Sequence, residues 1–251
     1  MERDFDGKVV IVTGAGSGLG RAASLLFARR GAMLCLAGRT AAKIEDTAGR
    51  IAALGGTAVT CAGELSDSAS CKRVIDAAIE AFGGIDILCN VAAEVTLGHF
   101  DQVSEAQWNR TIATNLSVPF FMMRHAMPHI MERHGNVVNV SSTGGLMGQA
   151  YLGPYTASKF GLLGLTRSLA MEYMDSPVRI NALAPGTMAT EMATASVIPD
   201  DVDPRLFSRY CGIRPPSTAE DVAETLVYLA SDAAKAVHGA CFAADGGITT
   251  G

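Results

Sequence analysis

The sequence predicts a single α/β domain: a doubly wound parallel sheet of about seven strands with helices on both faces. Three observations predict it. Short apolar runs alternate with longer amphipathic stretches along the whole chain. Each short run is nearly all apolar, as strands covered on both faces are. No composition shift, long linker or internal repeat divides residues 1–251.

The elements follow in order. KVVIVT (8–13) reads as the first buried strand and 18–30 as its helix. MLCLAG (33–38) is the second strand, followed by an Ala-rich helix from about 41 to 54. TAVTC (57–61) is the third, and SDSAS (66–70) supplies N-cap residues for a helix to about 82. IDILCN (85–90) is the fourth. Helical patterns fill 104–133, where Pro119 and Pro128 predict kinks or breaks. NVVNVSS (136–142) is the fifth strand, and Pro154 suits the first turn of a helix to about 174. VRINALAP (178–185) is the sixth. Ser217 with Glu220 predicts a capping box for a helix to about 230, and ACFAAD (240–245) is a last short strand. The proline- and aspartate-rich stretch 187–216 predicts a loop or short-helix excursion.

The totals exclude some classes. A net charge of −5 with 18% charged residues and no basic run argues against nucleic acid or an anionic membrane as partner. No apolar run reaches the ~18 residues of a spanning helix. MERDFDGK lacks the apolar centre of a signal peptide, so a cytoplasmic protein is expected. Cys35, Cys61, Cys71, Cys89, Cys211 and Cys241 form no C-x-x-C pair, and read as buried free thiols. His125 and His129 lack the glutamate of an H-E-x-x-H site and read as solvated or packed, so no metal is expected.

TGAGSGLG (13–20) joins the first strand to the first helix, the context a dinucleotide site requires. Glycines let backbone N–H groups approach a pyrophosphate, whose charge a helix N-terminus favours. The spacing is Gly14, Gly18, Gly20, with Gly16 extra. The second strand ends in AGRT (37–40), with Gly38 where an acid would bind ribose hydroxyls. Arg39 follows, with Thr40 as an extra donor, and a guanidinium can grip a 2′-phosphate. NADP(H) is therefore favoured. Arg39 as a solvated charge stacked on adenine leaves NAD(H) open.

Tyr155 and Lys159 lie four apart in PYTASK, on one face of a helix. Together with TGxxxGxG, with Ser142 thirteen residues before Tyr155, and with Pro185-Gly186 after it, this pair resembles the short-chain dehydrogenase/reductase family. The resemblance covers essentially the whole chain, in order. It implies a Rossmann-type fold, interconversion of a secondary alcohol and a ketone, and a homotetramer. It implies Tyr155 as general acid/base, its phenolate favoured by the Lys159 ammonium and by oxidised nicotinamide. Lys159 also looks like the lysine that holds the nicotinamide ribose. Ser142 resembles the serine that hydrogen-bonds the substrate oxygen, while Ser141 would face the other way. Asn115 resembles the asparagine that positions a proton-relay water. Gly14, Ser17, Gly18, Leu19 and Gly20 are the expected pyrophosphate loop. Pro185, Gly186, Met188 and Thr190 are expected at the nicotinamide.

Two departures stand out. The family's Asn-Asn-Ala-Gly is here Asn90-Val91-Ala92-Ala93, keeping Asn90 and Ala92 as cofactor contacts. The usual aspartate after the third strand is replaced by Glu64-Leu65, with Glu64 either reaching the adenine or solvated. The substrate wall is expected from Ala92–Val95, Ser142–Met147, Tyr151, Leu152 and the excursion, with Met188 and Met192 making it apolar. A hydrophobic cyclic or medium-chain alcohol or ketone fits that lining. A 3-oxoacyl thioester would want a basic mouth, for which Arg205, Arg209 and Arg214 are available. A dinucleotide-binding regulatory protein without turnover is the reading from another class.

Overall fold

The computed structural model describes residues 3–190 and 201–250. Its centre is a seven-stranded sheet in the order β3-β2-β1-β4-β5-β6-β7, with every pairing parallel. The strands are β1 (Val9–Thr13), β2 (Met33–Gly38), β3 (Thr57–Ala62), β4 (Ile87–Asn90), β5 (Asn136–Val140), β6 (Arg179–Pro185) and β7 (Cys241–Ala244). The main helices are α1 (Gly18–Arg29), α2 (Ala41–Ala53), α3 (Ser68–Phe82), α4 (Glu105–Ile112), α5 (Val118–Glu132) and α6 (Gly153–Glu172), then short α7 (Pro204–Ser208) and α8 (Ala219–Ala230).

Strand side chains alternate between two cores. Val10, Val12, Leu34, Leu36 and Val138 face one core with α1, α2 and α8. Ile11, Cys35, Leu88, Val137 and Ile180 face the other with α3 and α5. Both faces are covered, which is why the strands read as continuous apolar runs. The chain winds outward from β1 to β3, returns, and continues from β4 on the other side of β1. Such a reversal leaves a crevice at the carboxyl ends of the two central strands.

Several local expectations are corrected. Helix α5 runs through Pro128 to Glu132, and Pro119 sits in its first turn. Burial of Met122, Met123, Ala126, Met127 and Ile130 on the sheet outweighs the roughly 3 kcal/mol cost of an interior proline. The cap of α8 is Thr218 with Asp221, not Ser217 with Glu220. Ser217 instead pairs as an isolated parallel bridge with Met188. Cys35, Cys71 and Cys89 are buried, but Cys61, Cys211 and Cys241 are only half-buried; all six are free. No helix among the described residues is long and apolar enough to cross a membrane.

Candidate active site

The crevice between β1 and β4 opens into a cavity of about 760 Å³. Gly14, Ser17, Gly18, Leu19, Gly20, Arg39, Thr40, Glu64, Leu65, Ala92, Ser142, Tyr155, Lys159, Pro185, Gly186, Met188 and Thr190 all line it. One end is made of backbone. Gly14 is left-handed (φ 69°), and a Cβ there would lie 3.0 Å from the Ala92 backbone. A Cβ on Gly20 would lie 2.2 Å from the Gly14 carbonyl oxygen, so the first turn of α1 packs directly on the strand end. Gly18 is also left-handed (φ 48°), and its missing Cβ would meet the Thr190 methyl at 3.3 Å. The 185–190 segment thus folds back over the loop. These glycines form a cradle that any side chain would fill, and it fits a dinucleotide pyrophosphate.

Side chains outside the cavity hold this loop. Thr47 Oγ1 donates to the Ala15 carbonyl (3.0 Å), and Arg21 Nη2 donates to the Gly16 carbonyl (2.6 Å). Thr13 Oγ1 accepts from the Val91 and Ala92 N–H groups (2.9 and 3.1 Å). The motif contained that threonine, but its role is visible only in the fold. It ties the strand-end backbone that carries the Val91 and Ala93 departures. Gly38 has a packing reason as well, because a Cβ there would lie 2.8 Å from Ile44 Cγ2.

The other end is made of side chains. Ser142 follows β5, and its Oγ accepts from Gly144 N–H (3.1 Å). Ser141 also borders the cavity, but its hydroxyl is spent on the Lys159 carbonyl (3.1 Å). Tyr155 and Lys159 share one face of α6, with Lys159 Nζ 5.6 Å from the Tyr155 ring centre. The lysine is buried and donates to the Val140 carbonyl (2.8 Å). Burial pulls its pKa down to about 7. Burial raises that of Tyr155, and a hydrogen bond with the Ser142 side chain pulls the other way. In the protein alone, therefore, desolvation outweighs the expected help from the ammonium, and the phenol is held protonated. Of the expected Ser142–Met147, Tyr151 and Leu152 wall only Ser142 borders the cavity, and Gly144 and Gly145 serve as packing. Their Cβ positions would lie 3.2 Å from Tyr155 Cε1 and 2.9 Å from the Lys159 carbonyl oxygen, respectively.

Asn115 sits in a single π-helical stretch, Ala113–Ser117, spliced between α4 and α5. Its Oδ1 accepts from Glu94 N–H (2.8 Å), and its Nδ2 donates to the Glu94 carbonyl (2.8 Å) and to Ser158 Oγ (3.0 Å). Ser158 in turn donates to the Tyr155 carbonyl (2.6 Å). Asn115 thus positions the backbone on both sides of the cavity. Asn90 is different from expectation: its side chain is buried and donates to Asn139 Oδ1 (2.8 Å) within the sheet. Glu64 is exposed at the rim and Leu65 is half-buried.

The excursion is tied down where it is described. Tyr151, itself left-handed (φ 65°), accepts the Asp203 N–H at its hydroxyl (2.9 Å), and Tyr210 donates to the Ala150 carbonyl (2.8 Å). His99 pairs with Asp201 (3.2 Å). Met192 lies outside the described residues. His125 hydrogen-bonds Ser68 Oγ (2.8 Å). Glu94, inside the expected Ala92–Val95 wall, lines the cavity with Arg110, which no sequence motif singles out, and the two form an ion pair.

A family model described as enoyl-(acyl carrier protein) reductase matches residues 14–249. An uncharacterized oxidoreductase of Thermotoga maritima is 36% identical over 98% of this chain and 99% of its own length. The cis-4-hydroxycyclohexanecarboxylate dehydrogenase of Sinomonas cyclohexanicum is 36% identical over 99% of both chains. The cyclohexanol dehydrogenase of an Acinetobacter species is 30% identical over 100% of this chain and 98% of its own. Among solved structures, levodione reductase superposes with a TM-score of 0.89 at 30% identity, covering 97% of this chain and 98% of its own. A Burkholderia xenovorans protein assigned to the short-chain dehydrogenase/reductases gives 0.90 at 31% identity, covering 100% and 99%. A glycine cradle, a Ser–Tyr–Lys cluster in one cavity and end-to-end likeness converge: the chain belongs to the short-chain dehydrogenase/reductase family of NAD(P)-dependent alcohol–ketone oxidoreductases.

Proposed function

We propose that the chain is an NADP(H)-preferring dehydrogenase of apolar, cyclic secondary alcohols, working as a cytoplasmic homotetramer. The observation that carries the chemistry is the Tyr155–Lys159 pair beside Ser142, in the same cavity as the glycine cradle. A bound nicotinamide cofactor would supply the hydride acceptor for the carbinol carbon, or the hydride donor for the ketone. Gly14, Ser17, Gly18, Leu19 and Gly20 would hold its pyrophosphate, and Pro185, Gly186, Met188 and Thr190 its nicotinamide end. Glu64 and Leu65 would border its adenine.

Tyr155 takes the hydroxyl proton in oxidation as the phenolate that the charge of an oxidised nicotinamide would favour, and as the phenol gives a proton to the carbonyl oxygen in reduction. Ser142 donates a hydrogen bond to that oxygen and fixes its position. Lys159, pulled to about 7 by burial, can exchange a proton near neutral pH and charge up beside the phenolate. Asn115 is a positioning residue, through Glu94 and Ser158.

Val91, Val95, Leu97 and Met188 give the cavity an apolar wall. The relatives named for cyclohexanol and cis-4-hydroxycyclohexanecarboxylate support a ring substrate. The family model's description keeps a 3-oxoacyl thioester as the second reading. Against it, Arg205 is paired with Asp203 (2.8 Å), and Arg214 borders a separate cavity near the C-terminus. Exposed Trp108 on α4, Phe120 on α5 and Phe160 on α6 support burial of these helices between subunits.

The test supplies the purified protein with NADP⁺ or NAD⁺ and with cyclohexanol, 2,3-butanediol or a 3-hydroxyacyl thioester, and follows nicotinamide absorbance. The highest kcat/KM is expected for cyclohexanol with NADP⁺. Turnover of the thioester alone would replace the substrate reading, and a preference for NAD⁺ would retire the phosphate role of Arg39. Light scattering should give four times the mass of one chain.

A further inference from the structure

Three charged side chains bridge the mouth of the cofactor cavity. Arg39 follows β2, in the half of the sheet that continues to β3. Glu94 follows β4 and Arg110 lies on α4, both on the other side of the switch point. All three line the cavity. Arg110 Nε donates to Glu94 Oε1, and Arg39 Nη1 stands 3.9 Å from Glu94 Oε2. The Glu94 side chain is only 13% exposed, whereas those of Arg39 and Arg110 are 68% and 58% exposed. The carboxylate is thus the fixed member of the bridge. Asn115 clamps its backbone from both directions at 2.8 Å, so the charge cannot swing away with the loop.

We infer that Glu94 sets the nucleotide preference of this chain, by competing with the 2′-phosphate of NADP for Arg39. The inference rests on the reading of Arg39 as the phosphate-binding residue. A 2′-phosphate needs Arg39 turned toward it, and turning away from Glu94 costs the chain part of an ion pair. The Glu94 carboxylate also repels the incoming dianion. The Arg110 guanidinium offsets some of that repulsion, so Arg110 works in favour of NADP and Glu94 against it. A ribose with a free 2′-hydroxyl makes neither demand and leaves the bridge intact. The chain would then carry a moderated preference for NADP, which Arg39 alone would make stronger.

The experiment measures Kd for NADPH and for NADH by nicotinamide fluorescence, at fixed ionic strength. The proteins are wild type, Glu94→Gln, Arg110→Gln, Arg39→Ala and the double variant Glu94→Gln/Arg39→Ala. Glutamine keeps the shape and the Asn115 clamp while removing the charge. Glu94→Gln should raise the NADPH:NADH affinity ratio by roughly twofold to fivefold, the range of an exposed ion pair. That gain should shrink in the Arg39→Ala background to the part left by direct repulsion, and this background also separates out Lys43 at the same end of the cavity. Arg110→Gln should move the ratio the other way, and NADH affinity serves as the control for folding. An unchanged ratio in Glu94→Gln, with a fall in Arg39→Ala, would overturn the role of Glu94 and leave the Arg39 reading standing. No change in Arg39→Ala would overturn both. An equal gain with and without Arg39 would overturn competition through that residue.

Discussion

The two ends of one cavity are built from opposite materials. The pyrophosphate end is made by atoms that are missing: Gly14 and Gly20 leave room for backbone, and Gly18 for the Thr190 methyl, that lie 2.2–3.3 Å from where their Cβ atoms would be. The chemical end is made by atoms that are present and desolvated: a buried lysine, a tyrosine held protonated by burial, and a serine hydrogen-bonded to that tyrosine. The first end fails when an atom is added, the second when one is removed. The first needs no tuning of charge, while at the second, burial decides which groups carry protons.

Substitutions can break or sharpen this contrast, and the largest effect belongs to the chemical end. Tyr155→Phe removes one oxygen and should lower turnover by about 10²–10⁴-fold while NADPH binding stays near wild type. Appreciable residual turnover, measured in the same assay, would place the proton donor elsewhere. At the other end, Gly20→Ala adds one methyl and should cost about 1–3 kcal/mol or more in denaturant unfolding, with weaker binding of both nucleotides. Wild-type binding in that variant would show that the loop gives way freely.

Lys159→Met tests the desolvation argument. Burial pulls Lys159 from 10.5 to about 7, so between these values the unfolded chain holds a proton there that the folded chain has released. Wild-type stability from this group therefore rises with pH across that window. Below about 7 both states are protonated, and the fold carries the full penalty of a buried ammonium. The methionine variant should have a higher Tm at pH 6, by the equivalent of about 1–3 kcal/mol, with a smaller gain at pH 9. A difference constant with pH would mean that Lys159 keeps its proton in the fold. Arg39→Asp should shift the NADP:NAD ratio of kcat/KM by roughly tenfold toward NAD. The smallest effect is a control for the glycine argument. Gly49 on α2 has nothing within 4 Å of its Cβ position, so Gly49→Ala should stabilise by about 0.5–1 kcal/mol.

Much of this was legible in the sequence, for reasons that differ by residue. The strands announce themselves because both their faces are buried, and the glycine loop because its spacing answers a local steric demand. Helical spacing puts Tyr155 and Lys159 together, and Ser142, the glycine loop and Pro185-Gly186 make the pair readable as a site. What escaped depends on partners far along the chain. Both S-x-x-E and T-x-x-D occur in STAED, and the bridge from Met188 to Ser217 decides between them. Pro128 looks like a breaker until the apolar face of α5 meets the sheet. Asn90 looks like a cofactor contact until Asn139 is found beside it on β5. Glu94 and Arg110 are sixteen residues apart and carry no motif. Thr13 was in the motif, but its partners at 91 and 92 belong to another strand's end.

The π-helical turn at Ala113–Ser117 has a consequence for the helices on either side of it. Each extra residue in a helical turn advances the azimuth of everything beyond it by about 100°. The turn therefore acts as a phase shifter: α4 can aim Thr111 inward while α5 keeps its methionine stripe against the sheet. A chain shortened by one residue there would regain an unbroken helix. It would do so by rotating either Asn115 away from Glu94 or the stripe away from its core. Irregularity at this point keeps two faces of one rod in register with two different neighbours.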